Sequence, residues 1–196
     1  VLRIAVGPKG SDDQKLVQAL ARTFDRDRNS VRLSVSETGG AAESIAVLQA
    51  GKADLAVARG DLEMPADAES VAILRKNVVV LWTAPAAKAK GGKKESAAKI
   101  KEIGDLAGRR VGVIGRSLAN VTLLRVILSE SGVNPDKVAT NRYDVAHIMD
   151  MIRDLALDAF LTVGPLDSKI TAEAIALTAK LRGEPKFLPG DVSEAI

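Results

Sequence analysis

The chain has 196 residues, 46% of them hydrophobic and 27% charged, with a formal charge of +3 and a sequence pI of about 9.2. That is enough to bury a core as one domain or as two small lobes, and the balance is that of an ordinary soluble globular protein rather than a disordered one. Aromatic residues at 3% argue against stacking platforms for single-stranded nucleic acid, and the absence of cysteine excludes disulfides, zinc–thiolate sites and thiol nucleophiles.

In chain order, LRIAVG (Leu2 to Gly7) is an apolar run closed by a Gly-Pro-Lys-Gly turn, which predicts a strand. Ser11 suits a helix N-cap, with Asp12 and Asp13 in the first turn and Leu16, Val17, Leu20, Ala21 and Phe24 on one face. Val31 to Val35 alternates as a second strand. Glu37 to Asp61 then reads as a strand end, a glycine turn, an amphipathic helix, a second glycine turn and a short buried strand. Val71 to Leu74 is a candidate short strand, and NVVVLWTAP (Asn77 to Pro85) is a strong apolar one. Past a lysine-rich stretch, RRVGVIG predicts a buried strand, and a helix follows with Leu123, Leu124, Ile127 and Leu128 inward and Gly132 as its stop. Val138 to Tyr143 is a modest strand, and Asp144 caps the next helix. LDAFLTVG (Leu157 to Gly164) is another strand, Thr171 to Leu181 a last helix, and Lys186 to Leu188 a final short strand.

Strand–helix–strand–helix–strand, twice over, predicts two α/β lobes with parallel sheets. The boundary is expected near Ala84: residues 1–84 form the first lobe and 85–196 the second, which begins with a lysine-rich loop over 86–101. That loop carries Lys88, Lys90, Lys93, Lys94, Lys99 and Lys101. With no interleaved aromatics and no basic helical face, it reads as a solvated loop rather than an arm for nucleic acid or anionic lipid. No signal peptide or long apolar run is present, and the abrupt strand-like start at Val1 fits a chain from which an export signal or anchor has been removed.

Catalysis finds little support. His147 is the only histidine, it falls within a helical pattern, and no Gly-x-Ser-x-Gly elbow accompanies it. Neither metal-ligand spacing nor a phosphate-loop motif occurs, so no catalytic residue, metal or cofactor is expected. Binding finds more. Thr38, Gly39 and Gly40 stand at a helix entrance, where free N–H groups and the helix dipole favour an anion. Arg59 follows at the carboxyl end of the next strand, where open α/β sheets bind ligands, and its guanidinium suits a bidentate carboxylate clamp. Arg116 is a second candidate of that kind. Each has a plainer reading: Ser11, Thr38 and Ser117 as helix caps, Arg59 as a surface ion pair with Asp61 or Glu63, and Trp82 as core.

The stretch ETGGAAESIAVLQAGKADLAVARGD resembles the first-lobe signature of the TAXI family of solute-binding proteins, receptors of one branch of TRAP transporters. Thr38, Gly39 and Gly40 match its opening, and Leu48, Gly51, Ala53, Asp54, Leu55 and Ala56 match the rest. Ala41, Ser44 and Arg59 depart from it, standing where a small hydroxyl residue, Asn and Gln are usual. DLAGRRVGVIG and DAFLTVGP resemble second-lobe elements of type II periplasmic binding proteins. The resemblance covers essentially the whole chain. It implies a two-lobe fold joined by a hinge, with a further C-terminal part beyond Ile196. It also implies a cleft faced by Gly7 to Asp12, Thr38 to Ala42, Arg59 to Asp61 and Gly115 to Asn120. Ser117 and Asn120 would then offer polar groups from the second lobe, and Ser11, Thr38, Gly39, Gly40, Arg59 and Arg116 would complete the ligand set. The implied function is an extracytoplasmic receptor that captures a small organic acid or amino acid, such as glutamate or 2-oxoglutarate, and serves TRAP permease subunits, without nucleic acid. The effector domain of a LysR-type regulator is the alternative, sharing the fold and the Gly-x-Ala-Asp-Leu-Ala stretch; an enzyme on the same fold would need a nucleophile or acid–base pair.

Overall fold

The computed structural model describes residues 1–27, 30–85, 100–115 and 117–190, and these fall into two units, Val1–Val71 and Ala72–Ile196. Most of the lysine-rich loop, including Lys88, Lys90, Lys93, Lys94 and Lys99, lies outside the described residues, as does Arg116.

In the first unit, β1 (Leu2–Val6), β2 (Leu33–Glu37) and β3 (Leu55–Ala56) form a parallel sheet in the order β2-β1-β3. β1 and β2 are joined by α1 (Asp12–Arg26), and β2 and β3 by α2 (Ala41–Gln49). The crossover from β1 to β2 and the one from β2 across β1 to β3 run in opposite directions, and right-handedness then puts the two helices on opposite faces. Ile4 and Val6 accordingly pack with Val17 of α1, while the intervening Ala5, fully buried, alternates to the other face. β2 begins two residues later than the alternation suggested. Its register pairs Leu33 with Leu2, and Arg32 spends its carbonyl on the Leu2 N–H at 2.7 Å. At the amino end of this sheet Arg3 reaches across to Asp54, donating from its backbone N at 2.8 Å, Nε at 3.1 Å and Nη2 at 2.8 Å.

In the second unit, β4 (Val78–Thr83), β5 (Arg110–Ile114), β6 (Ala139–Tyr143), β7 (Ala159–Gly164) and β8 (Lys186–Phe187) are ordered β6-β5-β7-β4-β8. β5 runs parallel to β6 and β7, but β4 is antiparallel to both its neighbours, so this sheet is mixed rather than parallel. The division between units therefore falls after Val71 and not near Ala84: β4 is hydrogen-bonded into the second sheet along its whole length. Val71 to Leu74 forms no strand, and Val71 and Ile73 are 80% and 76% exposed.

Three helices cover this sheet: α3 (Leu118–Glu130), α4 (Ile148–Arg153) and α5 (Lys169–Leu181). Strand alternation gives the sheet two apolar faces. Leu81, Val111, Val113 and Leu161 pack with Leu124 and Leu128 of α3. Trp82, Ile114 and Phe160 pack with Met151 and Ile152 of α4 and Ala174 of α5. Trp82 is fully buried and its Nε1 donates to Thr178 Oγ1 at 3.1 Å, so it is a core residue. Gly112 is the tight point of β5: a Cβ there would stand 2.9 Å from Leu157 Cδ1 and 3.0 Å from Met151 Cγ.

Candidate solute-binding site

The carboxyl ends of the parallel strands carry polar rims in both units, and each rim is built by the turns that start the crossover helices. In the first unit, β1 ends at Gly7, where a Cβ would be 3.8 Å from Ser11 Oγ and 3.9 Å from Gly40 Cα. The β1–α1 and β2–α2 loops meet there. Ser11 caps α1 by accepting from Gln14 N at 3.2 Å. Gln14 returns to the loop, accepting from Gly10 N at 2.6 Å and donating from Nε2 to Glu37 Oε1 at 2.8 Å. This buried glutamine, 4% exposed, was not singled out, although Ser-x-x-Gln is a capping-box pattern legible in the sequence.

Thr38 is placed at the rim but faces inward. It is 8% exposed, and its Oγ1 lies 3.0 Å from Val6 O, 3.2 Å from Gly40 O and 2.7 Å from Ser44 Oγ. Its hydroxyl ties α2 to β1. Gly40 is the N-cap of α2, at φ +151°, and no side chain caps the helix from that position. The Gly39 N–H is bonded by the Glu43 carboxylate, so a charge of this chain stands where an external anion was expected. Glu43 too was passed over, four residues beyond Gly39 at the helix spacing that permits the contact.

Arg59 follows β3 and forms a bidentate pair with Asp61, Nε to Oδ1 at 2.9 Å and Nη2 to Oδ2 at 2.7 Å, with the side chains 21% and 26% exposed. Of its two sequence readings, the ion pair is the one present.

In the second unit, β5 ends at Ile114 and turns through Gly115, whose φ of +114° favours glycine. Ser117 caps α3, accepting from Ala119 N at 3.2 Å, and Asn120, 6% exposed, donates from Nδ2 to Ile114 O at 2.9 Å. α3 carries the chain from β5 towards β6, whereas α5 carries it from β7 towards β8. The gap between the ends of β5 and β7 is therefore a topological switch point, the place where open α/β sheets hold ligands. A crevice of about 100 Å³ lies there, walled by Ile114, Val145, Val163 and Ile170, with Asn120, Thr162, Ser168 and Thr171 supplying polar atoms. A shallower depression of about 360 Å³ adjoins it at Gly115, bordered by Arg142, Tyr143 and Asp144. The Tyr143 hydroxyl donates to Asp154 Oδ2 at 3.2 Å, and partial burial together with that carboxylate pushes its pKa up. Thr162, Ser168 and Thr171 were missed. Thr162 could have been found as the one hydroxyl in the otherwise apolar AFLTVG strand.

His147 is exposed at the junction of a 3-10 turn and α4, its N–H donating to Asp144 O at 2.8 Å. Among the described residues no group of three or more metal-ligating side chains comes together, and no helix is long and apolar enough to cross a membrane.

The profile described as the NMT1-like family matches residues 4–181. Solved structures of similar fold include the periplasmic aliphatic sulphonate binding protein SsuA of Escherichia coli, at 18% identity and a TM-score of 0.52 over 96% of this chain and 56% of that one. The GluR0 ligand-binding core of Nostoc punctiforme, in complex with L-glutamate, matches at 13% identity and 0.51, over 98% of this chain and 80% of that one. The ligand-binding component of an ABC-type import system from Staphylococcus aureus, with zinc bound, matches at 14% identity and 0.50, over 96% and 60%. The fold is thus that of the two-lobe type II periplasmic binding proteins, and the chain spans little more than half the length of SsuA. No curated protein sequence matches it.

Proposed function

The chain belongs to the NMT1-like family, and from that premise we propose that it is the solute-binding part of an extracytoplasmic receptor of the TAXI type. It captures a small carboxylate-bearing solute, an organic acid or amino acid, and serves the permease subunits of a TRAP-type transporter. No bond is made or broken. The polar rims supply contacts, and binding shifts the population towards the conformation the permease accepts.

The observation that carries this reading is the crevice between the ends of β5 and β7, a ligand position set by topology rather than by any single residue. Arg59 is the partner for the solute's carboxylate, which takes the place of Asp61 on the guanidinium fork. None of the three neighbours named above is a transcriptional regulator, so the effector-domain reading gains nothing from them.

A thermal-shift screen against small carboxylates and amino acids tests the proposal. A solute at a hundred times its Kd adds about 2.7 kcal/mol to stability. A stabilisation that disappears in Arg59→Ala is the expected result. A flat response across acids and amino acids alike overturns it.

A further inference from the structure

We infer that the crevice in the second unit takes an uncharged, branched apolar group carrying a hydrogen-bond acceptor. This rests on the solute-binding reading and names the chemistry of the part of the solute that this unit holds. A crevice of about 100 Å³ admits a compact group of a few heavy atoms rather than a large ring system. Ile114, Val145, Val163 and Ile170 give such a group apolar walls, and none of the described residues lining the crevice is charged. A carboxylate or ammonium placed there would lose its hydration without gaining a counter-charge from the described lining residues.

The polar atoms form a directed chain. Ser168 Oγ accepts from Thr171 N at 3.2 Å, and Thr171 Oγ1 donates to Thr162 Oγ1 at 3.0 Å. Thr162 is 2% exposed and serves as the acceptor in that chain, so its own hydroxyl hydrogen remains to be given. A buried O–H is costly to leave without an acceptor. Asn120 spends one amide hydrogen on Ile114 O and holds the mouth of the crevice in shape at Gly115, where a Cβ would be 2.9 Å from its Nδ2. What the crevice offers is therefore hydroxyl donors, with Thr162 the most deeply buried of them, set in apolar walls.

Methyl NMR of the full chain tests this with three probes of one skeleton: 2-methylpropanamide, 2-methylpropanoate and 2-methylpropylammonium. The readout is confined to the methyl signals of Ile114, Val145, Val163 and Ile170, so an acid bound at Arg59 does not register. The amide is expected to saturate these signals at about tenfold lower concentration than either charged probe. Thr162→Val should weaken the amide about fivefold, and Val145→Trp, at a half-exposed position, should abolish its effect by filling the mouth. The inference is overturned if a charged probe saturates the methyls as readily as the amide, or if none of the three moves them. Unmoved methyls with a positive thermal-shift screen would remove this inference alone. Shifting methyls with a flat screen would remove the transport reading and leave the crevice chemistry standing.

Discussion

Arg59 and Asp61 grip each other through two parallel hydrogen bonds of 2.9 and 2.7 Å, with one glycine between them in the chain. The guanidinium fork is thus already matched by an internal carboxylate, and under the proposed function a solute carboxylate would have to displace it. Asp61→Asn removes the competitor without changing its size. Carboxylate solutes should then bind about five- to tenfold more tightly, a gain of ~1–1.4 kcal/mol, as read by calorimetry. Equal or weaker binding in that variant would mean that Arg59 does not take part.

Thr38 and Ser44 share a 2.7 Å contact inside the first unit. Thr38→Val is expected to cost about 1–3 kcal/mol in urea unfolding, the usual cost of stranding buried partners, and to leave solute affinity within about twofold. The reverse pattern, unchanged stability with lost affinity, would return Thr38 to the ligand set.

The elements most legible in the sequence were those with strong periodicity or sharp caps. Ser11 and Ser117 announce α1 and α3, and RRVGVIG and DAFLTVG are strands by composition alone. What could not be read was which sheet a wholly apolar strand joins. VVVLWT has no alternation to orient it, so its pairing with β7 and β8 depends on partners far away in the chain. The rim positions were likewise legible as positions, but not the direction of a hydroxyl. Whether Thr38 faces solute or Ser44 is decided by the packing of α2 on β1, which no local pattern encodes. Asp54, part of the family-like stretch, is a strut to Arg3 at the opposite edge of the sheet from the rim.

That strut sets a pH dependence. Hydrogen bonds from Arg3 hold the Asp54 carboxyl at about 2, below its ordinary value of 3.8. A carboxyl depressed on folding binds its proton more readily when unfolded. Its stabilising contribution is therefore present above the unfolded value and lost as pH falls from about 4 through about 2. Urea titrations of wild type and Asp54→Asn across that window should converge at the acid end. Parallel curves would show that ionisation of Asp54 contributes nothing to the pH dependence.

Gly112 predicts the opposite kind of sensitivity, to size rather than charge. With Leu157 and Met151 within 3.0 Å of where a Cβ would stand, Gly112→Ala should overpack the α4 side of the sheet and cost about 1–3 kcal/mol. A companion Leu157→Val should recover part of the loss. Additive losses in the double variant would count against this contact as the cause.

The insertion of β4 between β7 and β8 has a consequence for how the polypeptide is made. Val80 is synthesised roughly eighty residues before its partner Thr162. At about 5–20 residues per second, a ribosome leaves VVVLWT without its neighbours for several seconds. During that interval a six-residue, uncharged, strand-forming segment is the kind that seeks another copy of itself. The nascent protein is therefore most at risk of misassembly, and most in need of a chaperone, between the emergence of β4 and that of β7.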